Sequence, residues 1–274
     1  MSVAGTPLNG AAEQVGRSVV TAFAGCGKVD FAYGQGSVFT GFSTESDLDL
    51  VIIWAEDEPP PAASRPVGQL TDAGSTPTQF HDRTFGLDKM RVSGWEVDVA
   101  HYPRTRFDSW CALVRDGDGW QQEEWPQPLH AVAGFVHGVL LADGEREGQA
   151  IREAMRAPAP RLIGKATGAL AEQLPGYSHA LLDCADRGDE WLFHQLAARL
   201  VRHIYVAWFA VEGHHLPFPK RLGQWVRHLR LNEQGVRLER RIWAAGTLHE
   251  RRLAIVRFAD HVLAGDAANG REGG

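Results

Sequence analysis

The sequence predicts an α+β protein in two parts, the first mixing short strands with helices and the second built of amphipathic helices alone. Three observations carry this. Residues 48–54 (LDLVIIW) form a short β-branched apolar run bounded by turn formers, which fits a largely buried strand. Residues 91–102 (RVSGWEVDVAHY) alternate Trp95, Val97 and Val99 with Glu96, Asp98 and Ala100, the two-residue period of a strand. From about residue 160 strand signals fade and helical spacing takes over. The expected division is 1–155, 156–265 and a disordered tail at 266–274 (DAANGREGG after Gly265).

Taken in order, residues 11–25 carry apolar positions at helical spacing and end in glycine, which predicts a first helix. Residues 29–33 are short and apolar, a strand, followed by Gly34-Gln35-Gly36-Ser37. Residues 55–66 (AEDEPPPAASRP) are acidic and proline-rich and predict a surface loop, since Pro59, Pro60 and Pro61 bar both a helix and a central strand. Residues 104–115 predict a helix. Residues 129–142 are an apolar stretch that ends at the turn signal Asp143-Gly144. In the second part, 162–174, 190–211, 221–231 and 248–263 predict four helices. Within 190–211, Leu192, Leu196, Leu200, Ile204 and Trp208 recur every four residues as a packing stripe.

The chain has 274 residues, 44% hydrophobic and 23% charged, an ordinary globular composition that excludes a disordered or low-complexity protein. Its net charge of -6 is uneven: residues 220–257 hold ten basic side chains against three acidic ones. A basic face opposite an acidic N-terminal half could funnel an anion into a cleft, although such a run is more often the solvated face of amphipathic helices. The overall acidity disfavours a protein that grips a nucleic acid template. Cys26, Cys111 and Cys184 have neither disulfide-framework nor zinc spacing, and with no membrane-length apolar run and no signal-peptide pattern the expectation is a cytoplasmic protein.

The chemistry concentrates in residues 33–54 (YGQGSVFTGFSTESDLDLVIIW). Gly36-Ser37 follows a strand, nine residues intervene, and Asp47-Leu48-Asp49 opens the next strand. Side chains two apart share a strand face, so Asp47 and Asp49 form a carboxylate pair whose mutual repulsion a cation would relieve. Hard oxygen ligands select Mg2+ or Mn2+. If the two strands are neighbours, Asp98 completes a site able to hold two metal ions, of the kind that clamps attacking and leaving oxygens at phosphorus. Gly36 would let backbone approach a triphosphate, with the Ser37 hydroxyl and nearby amides as donors.

This pattern, Gly-Ser, nine residues, Asp-x-Asp on an apolar strand and a later strand Asp, resembles the nucleotidyltransferase superfamily related to DNA polymerase beta. Within it the resemblance is to the small-molecule branch of kanamycin and lincosamide nucleotidyltransferases, and 43–47 (STESD) looks like the family's Ser-Asp-x-Asp lead-in, which brings Ser46 into the nucleotide site. It implies a nucleotidyltransferase domain with a mixed, mostly antiparallel sheet flanked by helices, followed by a C-terminal helical bundle. Many relatives carry a basic residue just after Gly-Ser, where this chain has Val38 and Thr40, so Lys220, in Pro217-Phe218-Pro219-Lys220, is the candidate for the missing triphosphate charge.

The expected activity is Mg2+-dependent transfer of a nucleoside monophosphate, AMP from ATP, to a hydroxyl or phosphate of a small-molecule acceptor such as an antibiotic or sugar, with pyrophosphate released. Asp47 and Asp49 hold metal. Asp98 holds the second ion and takes the acceptor's proton, with Glu96 as an alternative base or a solvent-facing partner for arginine. Trp54 and Trp95 could wall the nucleotide pocket. No nucleic acid template and no membrane are expected, and a homodimer is left open. The alternatives are an enzyme that nucleotidylates protein or RNA, as in bacterial toxin and antitoxin systems, and a non-catalytic nucleotide-binding regulatory module.

Overall fold

The protein, seen in a computed structural model, is described over residues 8–43, 46–122 and 124–272, with side chains described for 10–43, 46–122 and 124–266. The chain divides into two compact units, one comprising the residues up to Ala112 with Ala131–Arg156, the other Leu113–His130 with the chain from Ala157 onward.

The first unit holds helix α1 (Leu8–Phe23), strand β1 (Val29–Gln35), the single turn α2 (Gly36–Phe39), β2 (Leu48–Trp54), the short α3 (Val67–Leu70), β3 (Thr78–His81), β4 (Gly86–Val92) and β5 (Trp95–Pro103). It also contains most of α4 (Arg104–Asp116) and α5 (Pro128–His137), then β6 (Val139–Ala142) and α6 (Glu147–Ala154). The strands form one mixed sheet in the order β3-β4-β5-β2-β1-β6. β2 and β5 run parallel and the other pairings are antiparallel. This is the expected α+β architecture, with a C-terminal region that is helical.

β2 is apolar on both sides because both sides are covered. Leu48, Leu50, Ile52 and Trp54 pack under Val19, Val20 and Phe23 of α1, together with Val97 and Val99 of β5. Val51 and Ile53 point the other way, the side on which Phe31 and Tyr33 of β1 meet Phe107 and Phe135 in edge-to-face and tilted contacts. Asp49 stands at the end of this second face.

Several local readings change. The alternating run at 91–102 is two strand ends: Val92 pairs with Trp95 across a two-residue turn, Ser93-Gly94, in which both φ angles are positive (51° and 84°). The Asp72 carboxylate accepts both turn amides at 2.8 Å. In the proline-rich loop a 3-10 turn forms at Ala62–Ser64, and Pro59 and Pro60 are buried. Residues 129–142 split into α5 and β6 because Gly138 lies close against Gly34, where an added Cβ would stand 2.4 Å from the Gly34 carbonyl oxygen.

The first unit also buries a polar cluster on the α1 side of the sheet. Arg65 donates to Asp88 Oδ1 at 2.9 Å, His101 Nε2 lies 3.0 Å from Asp88 Oδ2, and Trp54 Nε1 donates to His101 Nδ1 at 3.3 Å. The side chains of Arg65, Asp88 and His101 are fully buried. Because Nδ1 accepts from Trp54, the proton sits on Nε2 and His101 is neutral. Trp54 therefore cannot wall a nucleotide pocket: it is 0% exposed and committed to this cluster.

The second unit contains α7 (Pro160–Arg187), α8 (Glu190–Val211), α9 (Leu222–His228), α10 (Glu233–Ala244) and α11 (Leu248–Glu272). α7 continues through Pro175, past the expected end at residue 174, because packing along α8 and α11 outweighs one lost backbone bond. The buried stripe of α8 is Phe193, Ala197, Leu200, Val201, Ile204 and Trp208. Leu192 and Leu196 are only half-buried, since a strict four-residue spacing drifts off a face of period 3.6. α10 was not foreseen, since the expected helix at 221–231 stops before it; Asn232 caps its first amides, Gln234 at 2.8 Å and Gly235 at 3.3 Å.

Burial holds the His101 imidazole below its usual range, against the opposing pull of Asp88. The unfolded chain then binds a proton that the folded chain does not, so this contribution is whole above about pH 6.5 and is lost as pH falls below it. Urea midpoints should drop through that window in the wild type and less in His101→Phe, whose neutral-pH stability is lower; parallel pH profiles would contradict this assignment.

Candidate metal and nucleotide site

The site is set by strand register. In β2, fully buried Leu48 anchors the strand, so Asp47 and Asp49 on either side of it project to the opposite face. In the parallel pairing of β2 with β5, Asp49 lies opposite Asp98. The two strands are neighbours, as the sequence required for a shared site. One carboxylate oxygen from each of Asp47, Asp49 and Asp98 lies within 4.8 Å of the others. Asp47 is exposed, and Asp49 and Asp98 are half-buried.

Ser46 is adjacent, its hydroxyl donating to Asp47 Oδ1 at 2.9 Å. Gly36 closes the other side. It takes φ +80°, and a Cβ placed there would stand 2.3 Å from Asp49 Oδ2. Glycine is thus required twice, by the left-handed backbone and by the carboxylate against it. Ser37 is half-buried in the turn that follows, its carbonyl accepting from the amides of Phe42 and Ser43. Val38 is buried and the Thr40 hydroxyl returns to the Gly36 carbonyl at 2.9 Å, so neither could be replaced by an outward-reaching cation without loss to the turn. Thr44 and Glu45 of the lead-in lie outside the described residues. Lys220 is exposed in the second unit, at the turn ahead of α9.

One residue here was missed from sequence: Lys89. It sits opposite Asp98 in the antiparallel β4–β5 pairing and donates to Asp98 Oδ2 at 2.5 Å. Hydrogen bonding to Asp98 holds its ammonium above the usual lysine range, and the charges of Asp98, Asp47 and Asp49 add to this. The signal was present, since residues 86–92 alternate Leu87, Lys89 and Arg91 with Asp88, Met90 and Val92, but Asp88 in the apolar register disguised the strand. Glu96, on the same face as Asp98, is 69% exposed and pairs with Arg91 at 3.6 Å. This is the solvent-facing role. Trp95 packs against the apolar core rather than standing free.

Three converging carboxylates are a hard, anionic donor set, and they fit a divalent cation that takes oxygen ligands. The Lys89 ammonium, bonded to Asp98, offsets part of the charge that the three carboxylates bring together. Like charges this close raise one another's free energy, which gives the site an intrinsic demand for a cation.

No protein-family model matches the chain, and no curated protein matches it. Among solved structures, a nucleotidyltransferase-like protein from Exiguobacterium sibiricum 255-15 is similar over 92% of this chain and 74% of that one, with 14% identity and a TM-score of 0.45. A likeness at that level assigns neither activity nor substrate, and the chemistry rests on the carboxylates themselves.

Two substitutions read the geometry directly. Gly36→Ala should destabilise the fold by about 1–3 kcal/mol and weaken Mn2+ binding, because Asp49 must move; unchanged Mn2+ affinity by calorimetry would contradict the contact. Lys89→Gln should leave stability nearly unchanged, an exposed ion pair contributing about 0–1 kcal/mol, yet tighten Mn2+ binding without nucleotide by roughly tenfold, about 1.4 kcal/mol. Equal or weaker Mn2+ binding would show that Lys89 does not compete for the carboxylates.

Proposed function

We propose that the protein is a Mg2+-dependent nucleotidyltransferase that moves AMP from ATP to a hydroxyl or phosphate of a small-molecule acceptor and releases pyrophosphate. The observation that carries this is the convergence of Asp47, Asp49 and Asp98 beside the tight Gly36-Ser37 turn. The reaction demands mainly positioning and neutralisation of phosphate charge, which an oxygen-ligand site next to a close-approach glycine is built to provide.

In this reading Asp47, Asp49 and Asp98 hold the metal, with room in the donor set for two ions. Bound Mg2+ supplies Lewis acidity and charge neutralisation at the phosphates. Gly36 lets the backbone approach the triphosphate, and Ser37, with the Ser46 hydroxyl, donates to its oxygens. Lys89 contributes positive charge on the same face, and Lys220 is a further candidate from the helical unit. The acceptor hydroxyl oxygen forms a bond to the α-phosphorus as the bond to the β-bridging oxygen breaks. Pyrophosphate leaves with the electron pair and the hydroxyl proton passes to Asp98. Lys89 donates to Oδ2 of Asp98, so in this reading Oδ1 is the oxygen that takes the proton. Glu96, exposed and paired with Arg91, is read as a solvent-facing partner of that arginine rather than as the base.

Calorimetry with the four nucleoside triphosphates, with and without Mg2+, tests the donor, and pyrophosphate release with candidate acceptors tests turnover. ATP binding should show a Mg2+-dependent component that Asp47→Asn with Asp49→Asn removes, and Asp49→Asn should lower turnover on the order of 10²–10³-fold while melting like the wild type. Mg2+-dependent binding with no turnover for any acceptor, small or macromolecular, would favour a regulatory nucleotide-binding module. Absence of any Mg2+-dependent triphosphate binding by folded protein would overturn the reading.

A further inference from the structure

The helical unit holds a second concentration of charge. α9 ends at His228, the chain reverses through Leu229-Arg230-Leu231, and α10 begins at Glu233. Arg230 occupies the left-handed region at φ 56°, a conformation in which arginine is uncommon. Glu233, Arg237 and Arg240 lie along one stripe of α10 at the spacing of successive turns. Together with Arg227 and Arg230 they rim a concavity of about 330 Å³ whose floor includes Val226 and Leu231, 6% and 5% exposed.

The balance of this rim is unusual. It holds four guanidinium groups against one carboxylate, Glu233, and that carboxylate makes only a loose exposed pair with Arg237 at 3.5 Å. Among the described residues, Arg227, Arg230 and Arg240 make no ion pair or hydrogen bond through their side chains. Like charges gathered at helical spacing destabilise the helices that carry them. Solvation alone explains scattered arginines, but it gives no reason for four to converge on one apolar-floored concavity.

We propose that the concavity between α9 and α10 binds a small molecule bearing two or more phosphate groups. The guanidinium fork matches phosphate oxygens in pairs, and several forks around one hollow select oligophosphate over a single charge. The apolar floor takes an organic portion of the ligand. The volume lies at the lower end of the range for small-molecule sites, roughly 300–1,000 Å³, and the chain's overall acidity opposes an extended nucleic acid track. This site uses none of the groups assigned to nucleotidyl transfer, so it stands whether or not that assignment does.

The test is calorimetric titration of the full chain with inorganic tripolyphosphate, and separately with ATP, in excess EDTA so that the carboxylate site takes no part. Saturable binding that weakens with added salt is expected. The double variant Arg227→Gln, Arg240→Gln should raise Kd at least tenfold, and Arg230→Gln provides the same reading from a second position, each with a wild-type melting curve. Asp47→Asn with Asp49→Asn should bind as the wild type does, and so should Arg91→Gln, which removes an exposed charge from the other unit. Tighter binding of ATP than of tripolyphosphate would assign the floor to the organic portion. The proposal is overturned by no binding in EDTA, by undiminished binding in the arginine variants, by an equal loss in Arg91→Gln, or by tighter binding of a single-stranded RNA oligonucleotide of matched charge.

Discussion

Everything proposed for the first unit depends on one pairing, the parallel contact of β2 with β5. It brings Asp49 level with Asp98, and it is held by side chains on the far face, where Leu48, Leu50 and Ile52 lie beside Val97 and Val99 under α1. A slip of one residue would turn these apolar groups outward and drive the aspartates into the core, so burial fixes the register. The carboxylates are assembled by hydrophobic packing that they do not touch. Their mutual repulsion is tolerated because the strands cannot separate without losing that core.

The same economy shows in β4. Asp88 and Lys89 are adjacent and face opposite sides of the sheet. Asp88 binds Arg65 and His101 in the interior, and Lys89 reaches Asp98 at the surface. A buried acid with two nitrogen partners is costly to disturb, and it pins the strand so that the lysine beside it meets the carboxylates at a set height. The interior cluster therefore bears on the charge of the site through the backbone, with no direct contact to it.

Much of this was legible in the chain. The Asp47-Leu48-Asp49 alternation on an apolar run led directly to the carboxylate pair, and the alternation from Trp95 to Ala100 led to Asp98. Lys89 was not legible because Asp88 occupies an inward position that apolar periodicity reserves for hydrophobic residues, and its partners Arg65 and His101 are distant in sequence. Trp54 misled for the converse reason: it is near the aspartates in sequence, yet strand alternation places it on the other face. The Ser93-Gly94 hairpin was missed although the apolar phase shifts across it, from Met90 and Val92 to Trp95, Val97 and Val99. In the helical unit, the passage of α7 through Pro175 and the existence of α10 depended on tertiary packing and on a cap, Asn232, which local spacing understates.

The division of the chain into its two units carries a consequence for how such a protein could be assembled or exchanged. The backbone passes from one unit to the other three times, after residues 112, 130 and 156. A fragment beginning at Ala157 lacks 113–130, the segment whose Trp120 carbonyl accepts from Arg202 and whose Asp118 pairs with Lys165. The helical unit is thus no modular block that recombination could append behind another domain by a single junction. On the ribosome its first segment must wait, already synthesised, until the later helices emerge to meet it.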